Sequence, residues 1–137
     1  MMKKVFLAGV VAAAMMAGQV AIAGDTDPLF VNLVSDGHRG TMGLTFSSKQ
    51  QERGHPLTVF LNDEAVRIAA KSNAQKFKSE QELIAAILAK GGTVIVCPMC
   101  MKHYGVAKED LIPGVKISNP EIAGGALFKD NTKTLTW

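Results

Sequence analysis

Three short apolar runs, at residues 29–34, 56–61 and 93–96, constrain the fold more than any other feature of this chain. Each is too short for a buried helix and is dominated by Val, Leu, Ile and Phe, so each reads as a strand buried on both faces. Helical signals fill the gaps between them. Residues 41–53 place Met42 and Phe46 four apart, with Gly54 as a stop, and residues 65–71 read as a short helical piece. Ser79-Glu80-Gln81-Glu82 reads as a capping box ahead of an apolar face formed by Leu83, Ile84, Ile87 and Leu88. Lys90-Gly91-Gly92 ends that helix with a basic turn and a glycine stop. A further helix runs from Cys97 to about Gly105. It is followed by a minimal strand at 115–117, a helix opened by Asn119-Pro120-Glu121 and a closing strand at 132–137. Alternating strands and helices predict a three-layer α/β/α domain around a mostly parallel sheet of about five strands, with right-handed crossovers. In such a sheet the reacting groups gather at the carboxyl ends of the strands. The segments 35–41, 62–64 and 97–103 are expected to converge there.

The first residues read as an address. Met1-Met2-Lys3-Lys4 is a positive start, an apolar Ala/Val/Met-rich stretch follows, and Ala21-Ile22-Ala23 is an A-x-A cleavage site. This predicts a signal peptide over 1–23, cut after Ala23, and a single domain over 24–137 exported to a periplasm. No membrane association is expected after cleavage, because no later run is long enough to span a bilayer. The 137-residue chain carries a formal charge of +3, and losing Lys3 and Lys4 leaves +1. A +1 domain without a basic run is not expected to bind nucleic acid. Six Phe, one Tyr and one Trp do not make a base-stacking surface, and two cysteines do not make a disulfide scaffold.

Both cysteines lie in Cys97-Pro98-Met99-Cys100, where the third strand gives way to a helix. Cys97 falls at the N-cap position with Pro98 as the first helical residue, so free amides and the helix dipole favour a thiolate there. Cys100 is close enough to resolve a sulfenate, persulfide or mixed disulfide formed at Cys97. A C-x-x-C disulfide closes a very small loop and constrains the unfolded chain little, which makes it a poor device for stability alone. Lys102 and His103, one to two turns on, are candidates for adding positive character. Cys97, Cys100 and His103 also form C-x-x-C-x-x-H, an alternative soft-ligand set for Cu(I), with Met99 and Met101 adjacent. Only three ligands are present, short of a closed zinc site, and Met101 stands where haem attachment needs His. No cofactor is expected. A thioredoxin fold places its C-x-x-C after an early strand, whereas this one follows the third.

The order of elements, with a cysteine ending the third strand, resembles the DsrE/DsrF-like sulfur-relay family. The resemblance is strongest over Thr93-Val94-Ile95-Val96-Cys97-Pro98-Met99-Cys100-Met101-Lys102-His103-Tyr104-Gly105-Val106, and Phe60-Leu61-Asn62-Asp63-Glu64-Ala65-Val66 is similar to the family's second strand and turn. It implies that Cys97 receives sulfane sulfur as a persulfide, handed on by donor and acceptor proteins or small sulfur compounds. It also implies a homo-oligomer, a trimer or hexamer. Cys100 departs from single-cysteine members and matches exported variants with C-P-x-C, which brings in disulfide chemistry. His38 and Arg39, after the first strand, are candidates for holding an anionic sulfur substrate. The alternative is solvated loop residues. Gly37, Gly40 and Gly43 lack the spacing of a dinucleotide fingerprint. Asp63 and Glu64 read as turn carboxylates.

Overall fold

The computed structural model describes residues 26–137, so the signal peptide and cleavage site expected from the sequence lie outside the described residues. Five strands form one sheet: β1 (Leu29–Leu33), β2 (Leu57–Leu61), β3 (Thr93–Val96), β4 (Lys116–Ile117) and β5 (Lys133–Thr136). Their order is β4-β3-β2-β1-β5 and every pairing is parallel. Four helices connect them: α1 (His38–Glu52), α2 (Lys78–Ala89), α3 (Pro98–Tyr104) and α4 (Pro120–Leu127). Two 3-10 segments, Asp63–Ala69 and Lys71–Asn73, follow β2. None of the helices described is long and apolar enough to cross a membrane.

The core lies on one side of the sheet. Val31, Leu33, Val59, Leu61, Val94 and Val96 alternate along β1, β2 and β3 and are fully buried with Leu44 of α1 and Ile84 and Ile87 of α2. Each fully buried aliphatic side chain contributes about 1.5–3 kcal/mol relative to exposure. Register is fixed by this alternation, since a one-residue slip in any strand exchanges its two faces.

The opposite face carries Phe30, Asn32, Phe60 and the buried Ile95, and its cover is much thinner than a two-sided sheet implies. Alone among the four helices, α4 borders this face, it has no buried residue, and Phe128 just beyond it is 83% exposed. Between α4 and the strands runs an open, mainly apolar groove of about 540 Å³.

Two local expectations are corrected. The helix expected from Thr41 begins at His38, so residues 38–40 are helical rather than loop. Gly40 makes this possible, because any Cβ there runs into the Ser35 carbonyl oxygen. The Ser79–Glu82 capping box does not form. Phe77, buried at 3% exposure, takes the N-cap position without a side-chain bond, and Ser79 is already inside the helix. Its hydroxyl donates to Glu80 at 2.9 Å, and Glu82 stays exposed beside Lys78 at 3.9 Å. Burial of the Phe77 ring sets the entry of α2. Asn119 does cap α4, accepting the Ile122 amide at 2.7 Å.

Candidate functional site

At the end of β3 the chain leaves the sheet through Cys97, whose amide donates to the Leu61 carbonyl at 2.9 Å. That bond continues the β2–β3 ladder by one step and ties the position of Cys97 to the sheet. Cys97 is extended (φ −72°, ψ 117°) and is the N-cap of α3, with Pro98 at the first helical position. Its Sγ accepts the Cys100 amide at 3.4 Å, the bond that places sulfur over the first turn. Met101 and Val106, both buried, pin α3 to the core, and Gly105 ends the helix in the left-handed conformation at φ 70°.

Both cysteines are free thiols and both are half-buried. Burial pushes the Cys100 thiol up from its ordinary value, and its hydrogen bond to Cys97 pushes the same way. The Asp63 backbone amide opposes this, while negative charge on Cys97 and on Asp63 adds to it. Cys100 therefore stays protonated to higher pH than an ordinary cysteine.

A polar network spans the carboxyl ends of β1, β2 and β3. Asp36, after β1, lies 3.0 Å from Arg67 Nε and 3.4 Å from Lys76 Nζ. The Arg67 Nε–H is out of line for a hydrogen bond, so the contact is one of charge. Arg67 also meets Glu64 at 3.3 Å, and its guanidinium lies over the Tyr104 ring, 4.9 Å from the centroid. The Tyr104 hydroxyl donates to Asp63 Oδ1 at 2.5 Å, and this bond, ahead of other causes, pushes the phenol up to about 12. Asp63 itself sits at φ 46°, a left-handed conformation uncommon outside glycine but tolerated best by Asp and Asn. Of the three segments expected to converge, Asp36 of the first and Glu64 of the second are linked through Arg67, and Tyr104, one residue beyond the third, reaches Asp63.

The other candidates are dispersed. His38 and Arg39 are exposed in the first turn of α1, and Arg39 borders a surface hollow with Val34, Thr136 and Trp137. That hollow is on the β5 side of β1, whereas Cys97 ends β3 on the far side of β2. Lys102 is exposed, and the exposed His103 sets its ring edge-on to Tyr104 at 4.7 Å. Among the described residues no three His, Cys, Asp or Glu side chains are grouped to hold a metal ion, so Cys97, Cys100 and His103 are not assembled as a ligand set. Met101 is core and Met99 is 80% exposed. Gly40 and Gly43 serve helix packing, since a Cβ on Gly43 would lie 2.5 Å from Leu33 Cδ1.

Sequence reading overlooked Arg67, Asp36 and Tyr104. Tyr104 carried a usable signal as the chain's one tyrosine, four residues after Cys100 and so on the same helical face. Arg67 and Asp36 carried none, because their meeting depends on how two loops fold over the sheet edge.

An all-parallel five-stranded α/β domain with paired thiols where β3 meets a short helix is a thiol-bearing α/β protein with its chemistry at the strand ends. Residues 29–129 match the model of the DsrE/DsrF-like family, and the chain belongs to that family, which is associated with sulfur relay. It is 31% identical over 81 residues to the uncharacterised protein MJ0989 of Methanocaldococcus jannaschii, covering 58% of this chain and 71% of that one. Among solved structures it is similar to the ychN protein from E. coli, with a TM-score of 0.63 and 21% identity over 80% of this chain and 99% of that one. It is also similar to BT1422 from Bacteroides thetaiotaomicron, with a TM-score of 0.57 and 18% identity over 81% of this chain and 95% of the other. At these identities the two structural likenesses speak to the fold.

Proposed function

We propose that this chain is an exported sulfur carrier in which Cys97 accepts sulfane sulfur and Cys100 is the resolving thiol. The observation that carries the reading is the placement of Cys97: fixed by the β-ladder, capping α3, with the Cys100 amide on its sulfur. In the loading step the Cys97 thiolate attacks a sulfane sulfur of a polysulfide or protein persulfide. The donor's S–S bond breaks, its leaving thiolate takes the electron pair, and Cys97 becomes Cys97–S–SH after protonation. The position of Cys100 also allows a Cys97–Cys100 disulfide to cycle. Residues 1–23 act as the cleaved export signal, and the mature domain works in the periplasm. The exposed Phe128 and the apolar groove beside α4 favour assembly with further copies of the chain.

Intact-mass measurement after polysulfide treatment tests the reading. The wild type is expected to gain about one sulfur mass, removed by reductant. Cys97→Ser is expected to gain none, and Cys100→Ser to gain it and keep it longer. Uptake by Cys97→Ser equal to that of the wild type would reverse the two roles.

A further inference from the structure

Asp63 has no place in the loading step, yet three observations join it to Cys100. Cys100 and Tyr104 are four residues apart on one face of α3. The Tyr104 hydroxyl reaches Asp63 Oδ1 at 2.5 Å, so the carboxylate is held over the face that carries Cys100. Asp63 occupies φ 46°, which turns the chain straight after β2 into the 3-10 segment that packs against α3. We propose that Asp63, anchored by Tyr104, is a positioning residue whose carboxylate, held over the Cys100 face of α3, opposes attack by Cys100 on a sulfur-loaded Cys97.

This rests on the carrier reading above and concerns its off-switch. Discharge to a disulfide requires the Cys100 thiolate to attack Cys97 Sγ in Cys97–S–SH. The new bond is Cys97–S–S–Cys100, the Sγ–sulfane bond breaks, and the outer sulfur leaves as hydrosulfide with the electron pair. The Cys100 proton goes to solvent. No external oxidant is needed, because the sulfane sulfur is the species reduced. Burial is the largest cause of the raised Cys100 value, and the anionic Asp63 carboxylate adds to it by opposing formation of the attacking thiolate. The ionisable groups bearing on Cys100 are Cys97 at the end of β3 and Asp63 after β2. Glu64 and Arg67 on the 3-10 segment pair with each other, and Lys102 and His103 on α3 are exposed.

Asp63→Asn is the informative substitution. Asn tolerates the left-handed conformation and keeps an acceptor for Tyr104, so it removes charge with the least change of shape. The first measurement is the pH profile of Cys100 alkylation by iodoacetamide in a Cys97→Ser background, which needs no sulfur loading. Asp63→Asn is expected to raise the Cys100 rate near neutral pH by on the order of threefold and move the profile to lower pH, with Asp63→Glu restoring it. The second is hydrosulfide release from polysulfide-loaded protein with both cysteines present, expected to quicken by a similar factor. An unchanged alkylation profile in Asp63→Asn overturns the role of Asp63 whatever the protein does with sulfur. A shifted profile in a protein that takes up no sulfur supports the control of Cys100 and removes the carrier reading alone.

Discussion

Replacing glycines by alanine at three helical positions should give three different results. Gly125 lies in α4, away from the groove, and an added Cβ has nothing within 4 Å. Alanine there gains only helix propensity and should stabilise by about 0.5–1 kcal/mol. At Gly43 the same gain is opposed by a Cβ 2.5 Å from Leu33 Cδ1 and 3.0 Å from Trp137 Cβ. Leu33 and Trp137 can shift, so overpacking of about 1–3 kcal/mol leaves a net loss of roughly 1 kcal/mol. At Gly40 the obstacle is the Ser35 backbone carbonyl, with Ile68 Cδ1 a further 3.4 Å contact. A carbonyl cannot swing aside without undoing the turn into α1, so the loss should exceed about 2 kcal/mol. Urea unfolding followed by far-UV circular dichroism measures this, since a midpoint shift at constant slope reports stability. The expected order of midpoints is Gly125→Ala, wild type, Gly43→Ala, Gly40→Ala. A Gly40→Ala midpoint at or above wild type would refute the packing of α1 on the β1 loop.

Glu80 is 7% exposed and accepts the Thr41 hydroxyl at 2.5 Å and the Ser79 hydroxyl at 2.9 Å. Burial pushes its carboxyl up, but these bonds with its own backbone amide outweigh that and leave it below the ordinary value. Its contribution is therefore present above the unfolded glutamate pKa of about 4.3 and is lost as pH falls through the depressed folded value. Glu80→Gln should cost about 1 kcal/mol at pH 7 and lose less stability than the wild type on acidification below about pH 4, read by urea midpoints at each pH. Asn119→Ala removes the cap on the Ile122 amide and should cost about 1 kcal/mol in thermal unfolding. The bond to Asp63 pushes the Tyr104 phenol up to about 12, so its neutral form should persist at pH 11 in ultraviolet difference spectra, and Asp63→Asn should ionise it earlier. Because its folded value is raised, the Tyr104–Asp63 contribution is present below the unfolded tyrosine pKa of about 10 and fades as pH climbs toward 12.

The sequence by itself determined the elements and the place of the thiols. Continuous apolar runs such as Thr93-Val94-Ile95-Val96 permit little except a strand covered on both faces, and helix-length gaps between such runs force parallel crossovers. Cys97 and Cys100 were legible because capping is local: Pro98 after an extended residue and Gly105 about two turns later bound α3 within nine residues. What the tertiary structure alone decided depends on side chains distant in the chain. Phe77 displaced the Ser79 cap because burying an aromatic ring outweighs one capping bond, and that burial exists only once α2 lies on the core. The order β4-β3-β2-β1-β5 put Arg39 on the β5 side of β1 and Asp63 over α3, since neighbours in a parallel sheet are set by crossover direction and not by local pattern. The same order left one sheet face under α4 alone, because the chain's larger helices, α1 and α2, both pack on the opposite face.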